Sequence, residues 1–161
     1  MSDQEKIEES YKYLVDGDTE AGLKILEELH LAGNARSTLI LGTIYYMGSY
    51  GIKTDYSKAL PYLEKSSKEY NDPLAQGSLS TMYFEGDGVE QNYMDAYLWA
   101  HKSVENGGGE NSLKLLENIE KNFSLENIEK MKEYVRMNDE LKAKEKELDN
   151  FFDWDKLKNK E

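Results

Sequence analysis

Apolar and small residues recur at steps of three and four along most of this chain, the period of a helix with one buried face. Ser37, Leu41, Ile44 and Tyr45 lie on one such stripe, and Ala75, Leu79, Met82 and Tyr83 on another. Each is followed by a second stripe: Ala59, Tyr62, Leu63 and Ser66 after the first, Ala96, Trp99, Ala100 and Ser103 after the second. Towards the start, Tyr11 to Val15, the turn Asp16-Gly17-Asp18, and then Ala21, Ile25 and Leu29 predict a shorter helical pair. Towards the end, a helix is predicted to begin near Ser124-Leu125, with Leu125, Ile128, Met131 and Val135 as its packing face. Beyond Asn138 that stripe thins to Leu141 and Leu148 amid alternating lysine and glutamate. Carried to residue 149 such a helix is ~37 Å long, so its second half is expected to project past the rest. No alternating β-branched run argues for a strand, and the fold class is all-α.

Boundary signals agree with this pattern. Asp72-Pro73 reads as an N-cap followed by a first-turn proline, and Gly33 and Gly107 as C-terminal stops. Pro61 falls inside a predicted helix. With Ser57 as the N-cap it stands four residues in, where no intrahelical donor is lost. Small residues at 37, 42, 75 and 80 allow a second helix to approach closely.

The two central stripe pairs are copies of one another. Leu41, Gly42, Tyr45 and Gly48 recur 38 residues later as Leu79, Ser80, Tyr83 and Gly86. After the turn the offset is 37: Tyr56 answers to Tyr93, Ala59 to Ala96, Tyr62 to Trp99 and Ser66 to Ser103. The one-residue change falls where Gly48-Ser49-Tyr50-Gly51 replaces Gly86-Asp87-Gly88, as an insertion in a turn would. A helix–turn–helix unit repeated at this period is the signature of a solenoid. The flanking pairs follow the same register with less fidelity.

Leu41-Gly42-x-x-Tyr45-x-x-Gly48 with Asp55-Tyr56-x-Lys58-Ala59, and Leu79-x-x-x-Tyr83-x-x-Gly86-Asp87-Gly88-Val89 with Asn92-Tyr93-x-x-Ala96-x-x-Trp99, resemble the Sel-one-like repeat family, αα solenoids related to tetratricopeptide repeats. Ser80 departs from the usual glycine, and Ser66-Ser67 from the usual paired alanines. The resemblance implies a right-handed αα superhelix, here of about four helical pairs with a long C-terminal helix. Its first helices would line a concave surface that binds other proteins. In that register Tyr45, Tyr62, Tyr83 and Trp99 are packing residues. The expected organisation is one array over 1–138: a degenerate pair 5–34, repeats 37–70 and 75–107, and a capping pair 111–138. A charged helical extension with an aromatic tail follows over 139–161.

Composition adds constraints on function. The 161 residues carry 20 Lys+Arg against 32 Asp+Glu, a net charge of -12, and no cysteine. Disulfides, thiolate metal sites and cysteine nucleophiles are thereby excluded. Charge of this sign argues against nucleic acid or an anionic membrane as ligand. No apolar run approaches the ~18 residues that span a bilayer, and Met-Ser-Asp-Gln-Glu-Lys has no apolar core for export. A cytoplasmic monomer is the expectation. The acidity is uneven: residues 1–34 and 71–112 each sum to -6, whereas 35–70 sum to +2. The second faithful repeat is acidic and the first is not, so acidity is an addition to the fold.

Candidate chemistry is sparse. Asp16-x-Asp18-x-Glu20 with Glu27 imitates a calcium loop, but Ala21 occupies the place that demands glycine. Gly107-Gly108-Gly109 and Gly86-Asp87-Gly88 lack the Lys-Ser or Lys-Thr of a phosphate loop and read as turns. His30 and His101 stand at the ends of two second helices with no acidic partner at ligand spacing. No nucleophile has a base and an orienting group beside it, so neither enzyme activity nor a cofactor or metal is expected. Two features remain as partner-binding candidates: the carboxylates Glu8, Glu9, Glu85, Glu117 and Glu120 on first helices, and Phe151, Phe152, Asp153, Trp154 and Asp155, aromatic bulk rimmed by acids. Together they predict a non-catalytic module that holds a basic partner protein. Its narrowest form is an immunity- or antitoxin-type inhibitor covering the basic site of a nuclease-like toxin. The alternatives are a signalling or assembly adaptor with a mainly apolar interface and, from another class, a hydrolase.

Overall fold

A computed structural model of the chain describes the backbone of residues 1–151 and the side chains of residues 1–148. Among the described residues there are eight α-helices and no strand: α1 (Asp3–Asp16), α2 (Thr19–Leu31), α3 (Ala35–Met47), α4 (Tyr56–Glu69), α5 (Pro73–Glu85), α6 (Tyr93–Glu105), α7 (Glu110–Asn122) and α8 (Leu125–Phe151). They fall into two compact units, Met1–Ile119 and Glu120–Glu161.

In the first unit the helices pair as α1 with α2, α3 with α4 and α5 with α6, and each pair stacks on the next through α2–α3 and α4–α5. Helix α3 also touches α5, so successive first helices are neighbours. Short polar side chains start these helices. Asp18, Asn34, Asp55, Asp72 and Asn92 each accept a hydrogen bond from a backbone N–H of the first turn, at 2.9–3.2 Å, an arrangement worth about 1 kcal/mol per cap. Left-handed glycines end α1, α3 and α5 at Gly17, Gly48 and Gly86. In both faithful repeats the loop then returns to the same carbonyl: Asp55 N–H donates to Tyr45 O and Asn92 N–H to Tyr83 O. The insertion at Ser49-Tyr50 places Tyr50 in the left-handed region at φ 56°, uncommon for a residue with a side chain, and its ring lies 6.4 Å from that of Tyr11.

One expected cap is corrected. Asp55 starts α4, two residues ahead of Ser57, and its carboxylate accepts from Lys58 N–H at 3.0 Å. Pro61 is therefore the sixth helical residue, past the positions whose donors are free. The carbonyl of Ser57 loses the N–H that would have bonded it. Both residues are exposed, and water can satisfy that group.

Leu26, Leu41, Ala59, Leu63, Ala75, Leu79 and Met82 are fully buried, with Ile7, Leu14, Leu29, Ile44, Tyr45 and Trp99 around them. Tyr62 and Tyr83 pack against this core from its edge and stay half-exposed. Small residues set the helix spacing: a Cβ on Gly42 would stand 2.9 Å from Leu63 Cδ2, and one on Gly77 2.8 Å from Ser112 Oγ. Ser80, where the repeat pattern has glycine, donates its hydroxyl to Ala96 O at 2.7 Å, so a polar tie replaces the empty space. Ser103 likewise donates to Pro73 O at 2.7 Å and meets Ser112 Oγ at 2.8 Å.

In the second unit α8 buries Ile128, Met131 and Val135. Leu125, expected on that face, is 85% exposed. Met137, Leu141 and Leu148 are exposed as well. At 100° per residue their common direction is rotated by roughly 130° from that of the buried three. They form a separate face, and the thinning of one stripe expected from the sequence is corrected on this point.

Asp55→Ala is expected to lower stability by about 1 kcal/mol in denaturant unfolding, whereas Ser57→Ala stays within about 0.5 kcal/mol. Equal losses would contradict the assignment of the cap.

Candidate functional site

Glu8 lies mid-way along α1, exposed, and accepts from Gln4 Nε2 at 2.7 Å. Glu9 is half-buried beside it. With Glu5, Lys12, Tyr13 and Asp16 they line an open groove of ≈ 670 Å³ along this helix. The structure thus brings Glu8 and Glu9 together with two further carboxylates. Glu5 is held below its ordinary pKa by hydrogen bonds from the backbone and side chain of Ser2 at the helix start. Glu85 is apart from this group, exposed in the last turn of α5, next to the glycine that ends the helix. Glu117 is exposed on α7, and Glu120, also exposed, opens the second unit. Among the described residues no lysine or arginine pairs with Glu8, Glu85 or Glu117. Three lysines of the first unit, Lys58 with Asp55, Lys68 with Glu64 and Lys114 with Glu110, pair with acids on their own helix or at its cap. Phe152, Asp153, Trp154 and Asp155, with the side chain of Phe151, lie outside the described residues.

A second groove, also ≈ 670 Å³, runs between the second helices α2 and α4, where the sequence pattern singled out nothing. Glu27 and His30 form one wall, Ser57, Lys58, Pro61, Tyr62 and Lys65 the other, and Tyr45 reaches it from α3. Tyr45 and Tyr62 stack with centroids 6.1 Å apart, His30 meets Tyr62 edge-on at 4.9 Å, and Lys58 Nζ sits 5.4 Å above the Tyr45 ring. Burial lowers the pKa of His30, helped by Lys65 and opposed by Glu27 and Glu69, and its Nδ1 is 2.9 Å from Thr38 Oγ1. Tyr62 is pushed up to about 12, first by burial and then by the charge and hydrogen bond of Glu27. The signal that could have located this groove is the repeat register itself, which places Tyr45 and Tyr62 on adjoining stripes while lysines flank Tyr62.

The other constellations have structural uses. The Asp18 carboxylate accepts from Ala21 N–H at 3.1 Å and starts α2. Among the described residues no group of three or more His, Cys, Asp or Glu could hold a metal ion. His101 does have an acidic partner, contrary to expectation: its Nδ1 lies 3.4 Å from Glu105 Oε2, one helical turn on. Gly86 and Gly88 are turn residues with φ 80° and 70°. A Cβ on Gly88 would stand 2.6 Å from Tyr56 Cβ, so this loop seats one repeat on the next. Asp87 in the same loop raises the pKa of Tyr56, mainly by its charge.

Antiparallel helix pairs stacked in register, with surface carboxylates and open grooves, define a helical-repeat binding protein of the αα-solenoid class. Residues 35–71 and 73–108 match the Sel1 repeat, and the chain belongs to the Sel1-like repeat family. A protective antigen present in uropathogenic Escherichia coli strains, with the Sel1-like repeat fold, matches 84% of this chain at a TM-score of 0.71 and 18% identity. A Sel1 repeat protein from Oxalobacter formigenes matches 73% at a TM-score of 0.61 and 22% identity. The chain spans 29% and 49% of the lengths of these two proteins, and at such identities the likeness is one of fold. No curated protein matches the sequence. Repeats of this kind form scaffolds for protein–protein interaction. No helix among the described residues is long and apolar enough to cross a membrane.

The raised Tyr62 has a consequence for alkaline stability. Between the ordinary phenol value of 10.0 and about 12 the folded chain keeps a proton that the unfolded chain has lost. Stability from this group is therefore complete below pH 10 and declines as pH rises to about 12. Thermal unfolding followed across that window should show a shallower decline in Tyr62→Phe than in the parent. An unchanged slope would remove Tyr62 as its source.

Proposed function

We propose that this chain is a non-catalytic interaction module that holds a basic partner protein through carboxylates of its first helices. The observation that supports the reading is that no lysine or arginine among the described residues forms an ion pair with exposed Glu8, Glu85 or Glu117 on α1, α5 and α7, whereas Lys58, Lys68 and Lys114 are engaged by acids close to them in the chain. A carboxylate outside any ion pair keeps much of its field, and several of them on one array attract and orient a positively charged surface. Glu9, Glu5 and Asp16 add to the acidic character of the groove along α1. Phe151, Phe152 and Trp154, interleaved with Asp153 and Asp155, have the composition of an apolar anchor with an acidic rim. The partner class with the most to lose from such a cover is one whose active surface is itself basic. An immunity- or antitoxin-type role against a nuclease-like toxin is the narrowest form of the proposal, and a cytoplasmic monomer suits it.

Affinity purification followed by calorimetry with the recovered partner tests this reading. The expected result is a basic protein whose affinity falls with added salt and falls about tenfold or more in the Glu8→Lys, Glu85→Lys, Glu117→Lys triple variant. A partner whose binding ignores both salt and the triple reversal would instead identify an adaptor with an apolar grip.

A further inference from the structure

The second half of α8 carries an apolar seam of its own. Met137, Leu141 and Leu148 are 51%, 59% and 56% exposed, and with Lys144 they follow one another at steps of four, three and four. That is the seven-residue spacing by which one helix presents a continuous line to another. The seam points roughly 130° away from Ile128, Met131 and Val135, the residues that α8 buries in its first half. It is therefore not the tail of the fold's own packing face.

The flanks of the seam are of one sign. Glu133, Glu140 and Glu147, seven residues apart, border it on one side, and Glu145 borders it on the other beyond Asn138. All four glutamates are exposed. Of the basic residues in this stretch, Arg136 pairs with Glu133 from the outer side of that flank, Lys142 and Lys146 fall on the far side of the helix, and only Lys144 enters the seam, by helical spacing. In paired helices the flanking positions of one strand face those of the other, so their charges decide who pairs with whom. Two copies of this segment would bring glutamate against glutamate in either orientation, which disfavours self-association. A helix flanked by lysine or arginine converts each of those repulsions into an attraction. Lys144 inside the seam calls for an acidic or amide side chain opposite it, and one polar position of this kind fixes register.

We infer that residues 133–148 of α8 are a docking strip for an amphipathic partner helix with an apolar seam, basic flanks and one acidic residue facing Lys144. The strip is a second interaction surface, on a different element from the carboxylates of α1, α5 and α7, and it shares with them only the sign of the charge it seeks.

The probe is a synthetic helix of about four heptads with leucine in the seam, lysine at every flanking position and one seam glutamate. Two controls accompany it: the same peptide with glutamate flanks, and a scrambled peptide of unchanged composition that keeps the charge and loses the seam. Calorimetry with the full chain should show binding of the probe that weakens with salt, and binding of both controls weaker by about tenfold or more. Leu141→Asp with Leu148→Asp should abolish probe binding. The thermal transition should stay at the parent's value, because both side chains are exposed. The triple reversal at Glu8, Glu85 and Glu117 should change probe affinity by less than about threefold, because the strip's own glutamates supply the attraction. Equal binding of the scrambled peptide, or full binding by the double variant, would overturn the assignment. So would a dimer of the parent in sedimentation equilibrium that the double variant dissolves, since the occupant would then be a second copy. Loss of probe binding in the triple variant would overturn the strip while leaving the reading of the first helices intact.

Discussion

Each repeat of this protein depends on two helices coming closer than two ordinary side chains permit. At Gly42 the gap is set by what is missing, since a Cβ there would press into Leu63. At the matching place in the next repeat Ser80 fits and adds a buried hydroxyl bond to Ala96 O. The two repeats thus meet the same close contact by different means, and the rest follows from it. Leu41, Leu63, Leu79 and Met82 are sealed from water only because the backbones lie this close. The loops after Gly48 and Gly86 can then return to Tyr45 O and Tyr83 O.

Stacking repeats leaves the faces that do not pack free to vary. The first faithful repeat carries a small positive excess and the second a negative one, although both build the same pair of helices. Surface charge in this chain is thus nearly independent of the fold. Local salt bridges such as Lys68–Glu64 and Lys114–Glu110 contribute little to stability. Their larger effect is on the field, because a lysine held by a neighbouring acid is not available to a carboxylate elsewhere.

Much of the helical architecture could be read from residue types at fixed spacing. Asp72-Pro73, the glycines after α1, α3 and α5 and the 37- to 38-residue register all have the roles that local chemistry assigns them. The misjudged places are those where two local signals compete. Ser57 and Asp55 are both good caps, and only the bond from Lys58 N–H to Asp55 decides between them. Leu141 and Leu148 are apolar and in phase with a helix, as are Ile128 and Met131, yet the two sets face different ways because spacing errors of one residue turn a face by 100°. The groove between α2 and α4 left no local mark, since its two walls come from residues 27 to 38 positions apart, on different helices.

The sequence by itself determined the helices, their ends, the repeat and its family, because these rest on interactions within a few residues or on a period that recurs. It also determined the acidic excess and its uneven distribution. Tertiary structure alone decided which side chains are sealed from water and which line a groove. It also brought Tyr45, Tyr62 and His30 together in one groove and left Met137, Leu141 and Leu148 facing outward. Those outcomes depend on distances between elements, and a one-dimensional pattern carries spacing along the chain but not across it.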